Sequence, residues 1–212
     1  MKKLIPIILF FVIINNINAQ TSDKNYAVKY DFFSPVAGCF GFAFEKPKSN
    51  FTSLDIEAGL IGLKLGDYYL HDKFGGGYLA VGPRLYFNKD EGEKNDFKGP
   101  YFKPELLFNY FQYNYEASYY NWIDGLEYQG NVDGTDFSAS LLLCMGNQWI
   151  LSDLIVFDLW FGLGYGGDWI NEKTDISPEF FQEQNKFYKY SHIHFGDSPM
   201  VFDGGLSIGM LF

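Results

Sequence analysis

A chain of 212 residues with 26 acidic against 16 basic side chains, a net charge of −10 and 20% aromatic residues lacks the basic footprint that binding to a phosphate backbone requires. Its length suits a single domain, and no shift in composition marks an internal linker. Two cysteines are too few for the disulfide framework of a small secreted scaffold.

The first element is a leader. Lys2 and Lys3 precede an apolar run from Leu4 to Ile14, and Ile17-Asn18-Ala19 offers a small residue before a cut at Gln20. The run falls well short of the ~20 residues a spanning helix needs, so residues 1–19 are expected to be a removable signal peptide and 20–212 the mature domain. No cysteine follows the cut to take a lipid anchor. Losing Lys2 and Lys3 takes the charge from −10 to −12.

After the leader, apolar residues recur at every second place. This alternation predicts eight strands, at about residues 25–33, 38–46, 51–63, 77–88, 100–115, 136–149, 153–165 and 200–212. Most are longer than the five or six residues common in soluble sheets. In the second strand Phe40, Phe42 and Phe44 oppose Cys39, Gly41, Ala43 and Glu45. In the third Leu54, Ile56, Ala58 and Leu60 oppose Asp55, Glu57 and Gly59. The fourth sets Leu79, Val81, Leu85 and Phe87 against Ala80, Gly82, Arg84 and Asn88. The seventh sets Ile155, Phe157, Leu159, Phe161 and Leu163 against Asp158, Trp160, Gly162 and Gly164. In the last, Phe202, Leu206, Ile208, Met210 and Phe212 share one face, with Asp203, Gly205, Ser207 and Gly209 on the other.

Period two makes each strand two-faced without saying which face is outside. A soluble barrel or sandwich turns the apolar face inward; a membrane barrel turns it into lipid and fills the bore with small and polar groups. Three features favour the membrane arrangement. The polar face is rich in Gly, Ala and Ser, which suits a narrow eight-strand interior. Connections alternate in length: short ones at Pro47-Lys48-Ser49 and Ile150–Ser152, long ones of about 13, 20 and 34 residues between strands three and four, five and six, and seven and eight. Two depart from that rhythm, since Ser34-Pro35 is short for an outer loop and Lys89–Gly99 is long for an inner turn. Finally, Tyr26, Tyr30, Phe33, Tyr86, Phe87, Tyr101, Phe102, Tyr110, Tyr113, Trp149, Tyr165 and Trp169 fall where strands are expected to cross the interfaces. The expected fold is therefore all-β, an eight-stranded antiparallel up-and-down transmembrane β-barrel with periplasmic termini and long outer loops.

The last strand, ending in Phe212 with apolar residues at alternate places back to Leu206, resembles the C-terminal signature of Gram-negative outer-membrane barrels. The stretches Tyr30-Asp31-Phe32-Phe33-Ser34-Pro35-Val36-Ala37-Gly38, Phe42-Ala43-Phe44-Glu45 and Gly77-Tyr78-Leu79-Ala80-Val81-Gly82-Pro83-Arg84-Leu85-Tyr86-Phe87 are similar to a family of small outer-membrane barrels, and more loosely to OmpX, OmpW and OmpA-type eight-strand barrels. The resemblance covers most of the mature chain. It implies residence in the outer membrane, contact with its lipid and recognition of the last strand, through Phe212, by the barrel-assembly machinery. It implies no catalytic residue.

Parity places Lys29, Asp31, Glu45, Asp55, Glu57, Arg84, Lys103, Glu105, Asp158 and Asp203 in the bore. They could form an ion path or a polar ligand site; the plainer reading is a structural network in which Lys29, Arg84 and Lys103 neutralise carboxylates, because an eight-strand bore is generally filled by side chains. His192 and His194 could chelate a metal with Asp197 or assist a serine in lipid hydrolysis, yet no nucleophile motif accompanies them, so no metal, cofactor or catalytic residue is assigned. Asn131–Asp136 lacks the acidic residue that would close a calcium loop and reads as a polar turn. The Gly162–Gly167 cluster has no following Lys-Ser/Thr and reads as close packing. Cys39 and Cys144 fall on strands opposite one another and are expected to be separate thiols. Ser177-Pro178-Glu179 resembles a helix start, with a short helix to about Tyr188. Aromatic residues in the third and fourth loops, Tyr119, Tyr120, Trp122, Phe180, Phe181 and Tyr188 among them, are candidates for ligand or partner contact. The expected function is a non-enzymatic outer-membrane barrel with interacting outer loops; the alternatives are an outer-membrane lipid-modifying enzyme and a secreted soluble barrel that binds an apolar ligand.

Overall fold

A computed structural model describes residues 25–32, 39–49, 51–62, 73–87, 98–121, 125–174, 193–194 and 199–212. They form β1 (Ala27–Asp31), β2 (Cys39–Ser49), β3 (Thr52–Ile61), β4 (Lys73–Tyr86), β5 (Gly99–Asn121), β6 (Leu126–Leu151), β7 (Ile155–Thr174), the two-residue β8 (Ile193–His194) and β9 (Met200–Leu211). Each long strand pairs antiparallel with its neighbour in sequence, and β1 pairs with β9, so eight strands close into an up-and-down ring. β8 pairs with β9 at Phe202 and Val201, beyond the end of the β1 pairing.

The register fixes the shape of the ring. From Lys29 the paired positions run through Ala43, Glu57, Ala80, Leu107, Ser140 and Gly166. Gly166 meets Pro199 of the last segment, whereas Lys29 itself pairs with Gly209. The walk closes ten residues out of step, and a shear of ten over eight strands tilts them by about 40° and gives a radius of ~8 Å. Such a cylinder has room for side chains and little else.

Termini and turns follow from local chemistry. The Asn25 amide donates to the Phe212 carbonyl at 2.7 Å and the Phe212 amide to the Tyr26 carbonyl at 2.9 Å, so the start of β1 and the end of β9 lie together. At the same end Ser152 and Asp153 have φ of 51° and 52°, and the Leu154 amide returns to the Leu151 carbonyl. Positive φ at both central residues makes this the type I′ turn whose twist matches that of the flanking strands.

The strands are two-faced as the alternation requires. Phe40, Phe42, Phe44, Leu60, Leu79, Leu141, Leu143, Leu159 and Phe161 are exposed on the outside, while Cys39, Ala43, Ala80, Leu107, Leu142 and Val201 are buried within. Small residues permit the close interior. A Cβ at Gly162 would lie 2.6 Å from the Cys144 sulfur, and one at Gly164 would meet Leu142.

Several expectations need correction. Pro47, Lys48 and Ser49 belong to β2, with a register shift beside them, and the reversal follows at the next residues. Residues 116–135 were expected to be mostly loop; instead β5 and β6 continue as a paired hairpin to Asn121 and Leu126, and the backbones of Tyr119 and Tyr120 are in strand. Asn131–Asp136 is strand, not turn. Antiparallel pairing satisfies the backbone whether or not the side chains are apolar, so a polar segment can extend a hairpin. β7 likewise runs on to Thr174. Tyr86, Tyr101 and Tyr113, expected at an interface, point inward and are buried, because they share parity with Arg84, Lys103 and Phe111. Phe33, Trp122, Phe180, Phe181, Tyr188, His192 and the expected helix start at Ser177 lie outside the described residues, as does the expected leader at residues 1–19.

Candidate functional site: a buried charge cluster inside the ring

Seven of the ten charged residues assigned to the interior, Lys29, Glu45, Asp55, Arg84, Lys103, Glu105 and Asp158, are all but inaccessible. Register brings them to one region. Glu45 lies directly opposite Asp55, Gln148 opposite Asp158 and Ser53 opposite Arg84. Two carboxylates facing each other repel, so Glu45 and Asp55 coexist because cations reach between them.

The Lys29 Nζ does so from β1. It lies 2.8 Å from Glu45 Oε2, 3.1 Å from Asp55 Oδ1 and 3.1 Å from Asp158 Oδ2, and donates to Gln148 Oε1 at 3.2 Å. Arg84 enters from β4. Its Nη1 meets Asp158 Oδ2 at 2.5 Å and Gln148 Oε1 at 3.1 Å, and its Nη2 meets Asp55 Oδ2 at 3.0 Å. The guanidinium carbon sits 4.3 Å from the centre of the Tyr101 ring, a cation–π contact. Lys103 reaches Asp55 Oδ2 at 3.2 Å and pairs with Glu105. Hydroxyls complete the carboxylate shells: Ser53 and Tyr86 donate to Glu45 Oε1 at 2.5 and 2.6 Å, and Tyr101 donates to Asp158 Oδ1 at 2.8 Å. Buried charges are tolerable only with this degree of pairing and hydrogen bonding.

The other three assigned residues take no part in these ion pairs. Glu57 is half-buried and accepts from the Tyr78 hydroxyl at 2.7 Å. Asp203 accepts from the Gly204 amide at 2.8 Å. Asp31 lies near the Trp160 and Gly205 contact. Ser53, Tyr86, Tyr101 and Gln148 belong to the cluster as well; Tyr86 and Tyr101 were expected at an interface, and Ser53 and Gln148 carried no expectation. Their signal was parity, since Ser53, Tyr86 and Tyr101 each sit two places from an assigned charged residue and Gln148 sits four from the buried Cys144.

Cys39 and Cys144 are buried and form no disulfide, and both belong to an interior apolar cluster with Tyr78, Leu107 and Leu142. Among the described residues no group of three His, Cys, Asp or Glu side chains is disposed to hold a metal ion. His194 is described only as backbone paired with Val201.

The described residues thus define a class, a closed eight-strand antiparallel barrel with a cluster of charged side chains on the inside. Among solved structures the chain is similar to the crystal structure of Acinetobacter baumannii CarO, at 9% identity over 92% of this chain and 100% of that one, with a TM-score of 0.47. No family model matches the sequence, and no curated protein matches it.

Proposed function

We propose that this protein is a non-enzymatic integral outer-membrane β-barrel, with a bore plugged by its own charged side chains and outer loops that meet ligands or partners. One observation carries the reading: polarity is inverted. Lys29 and Asp158 are 1% and 0% exposed, whereas Leu143, Met145 and Phe161 are 54%, 63% and 56% exposed. In water each such apolar side chain would forgo roughly 1.5–3 kcal/mol of burial, and a ring offers no second layer to cover them.

The exposed band has membrane dimensions. On β6 it runs from Phe137 to Trp149, a rise of ~30 Å at a 40° tilt, comparable with the ~25 Å apolar belt of such barrels. Aromatic residues bound it. Tyr110, Phe137 and Trp169 are register neighbours at one end. At the other, Tyr26 stacks on Phe212 with ring centres 5.4 Å apart and touches Phe44 at 5.5 Å. On this reading residues 1–19 are a leader, both termini are periplasmic, and the last strand with Phe212 is presented to the assembly machinery before it closes on β1, leaving no unpaired edge in lipid.

Fractionation tests the proposal. The protein is expected in the outer membrane, migrating faster in detergent gels before boiling than after. A soluble periplasmic monomer with no such shift would refute it.

A further inference from the structure

On β5, β6 and β7 the outward face changes character at one level. Below it are Tyr110, Phe137 and Trp169; above it come two register-aligned rows of polar residues, Gln112–Thr135–Asn171 and Asn114–Asp133–Lys173. The inner face of the same stretch is closed, with Phe111 and Tyr113 buried, so these outward groups stand on a backed, paired sheet. They are also ordered among themselves. Gln112 Nε2 donates to the Tyr110 hydroxyl at 2.9 Å, and Asn114 Nδ2 donates to Asp133 Oδ1 at 2.5 Å.

We infer that this polar face is a binding surface for the sugar hydroxyls of the glycolipid around the barrel. The inference rests on the membrane reading above, because the face is continuous with the lipid-facing band on the same strands. What lies directly beyond the hydrocarbon meets this face. The two rows, with Glu116 above them, rise ~15 Å past the aromatic level, the depth of a few sugar units. Side-chain amides and carboxylates on a paired sheet match vicinal hydroxyls, each of which both donates and accepts. The exposed Trp169 ring at the lower margin offers an apolar sugar face a place to stack. Charge selects the sugar over the phosphate: in register Lys73 stands opposite Asn114 and Lys173 opposite Asp133, so the two lysines are held at the two ends of the row and matched by Asp133 and Glu116, whereas a phosphate site calls for clustered Arg or Lys.

The probe is the core oligosaccharide of the outer-leaflet glycolipid, released from lipid and dephosphorylated, titrated by NMR into the detergent-folded protein. The Gln112 and Asn114 side-chain amides are expected to shift, and a Gln112→Ala/Asn114→Ala/Asp133→Ala variant to bind about ten-fold more weakly, as the loss of one to two net hydrogen bonds implies. Heat-modifiable migration of wild type and variant establishes that both are folded barrels. A folded, heat-modifiable wild type that ignores the dephosphorylated saccharide, or binds only its phosphorylated form, overturns this inference alone. A protein that is soluble without detergent overturns the membrane reading as well.

Discussion

Replacing Lys29 by methionine keeps the length of the stem and removes one of the three cations, Lys29, Arg84 and Lys103, that face the four carboxylates of Glu45, Asp55, Glu105 and Asp158. Three of those carboxylates lie within 3.1 Å of the lost ammonium. Breaking a buried ion pair from one side costs about 3–5 kcal/mol. Arg84 also approaches Glu45, Asp55 and Asp158 and offsets part of the loss, which places the expected destabilisation near 3 kcal/mol. With a urea dependence of about 1–3 kcal/mol per molar, the unfolding midpoint of the barrel in lipid vesicles should fall by roughly 1–3 M. The seam should also open at lower temperature in detergent gels, because β1 is only five residues long and Lys29 ties it to β2, β3, β6 and β7. Adding Glu45→Gln to Lys29→Met should recover about 1 kcal/mol, since the two sites are coupled. An unchanged midpoint in Lys29→Met, or no recovery in the double variant, would show that the cluster does not hold the ring together.

Three further outcomes are expected. Phe161→Arg, at the middle of the exposed band, should cost about 2–4 kcal/mol in vesicles, and equal stability of variant and wild type there would contradict the outward orientation. Gly82→Val should destabilise by about 1–3 kcal/mol because a Cβ at Gly82 collides with the Pro104 carbonyl, whereas Gly167→Val should be neutral, since nothing lies within 4 Å of the same position there; urea midpoints of the pair decide it. A polar thiol reagent should leave Cys39 and Cys144 unmodified in the folded barrel and label both after denaturation, and rapid labelling of the folded protein would mean that the interior is open to solvent.

Much of this was legible along the chain. The alternation through Phe40, Phe42 and Phe44, or Leu159, Phe161 and Leu163, gave strand after strand its two faces, and parity alone put Lys29, Glu45, Asp55, Arg84, Lys103, Glu105 and Asp158 on the same side. The aromatic residues were less legible. Tyr86, Tyr101 and Tyr113 suited an interface by type, yet their parity sends them inward, where Tyr86 and Tyr101 hold carboxylates. The length of β5 and β6 was hidden for a different reason: beyond the apolar band neither face needs to be greasy, so the hydrophobic pattern that marks a strand disappears while the pairing continues.

What the sequence determined by itself is the two-sidedness of each strand, because side chains alternate about an extended backbone whatever the neighbours do. Which charges meet was decided only by the closed ring. Lys29 and Asp158 are far apart in sequence, and parity says nothing about height; the ten-residue shear brings β1, β3, β4 and β7 to one level and turns a set of inward charges into a single bonded cluster.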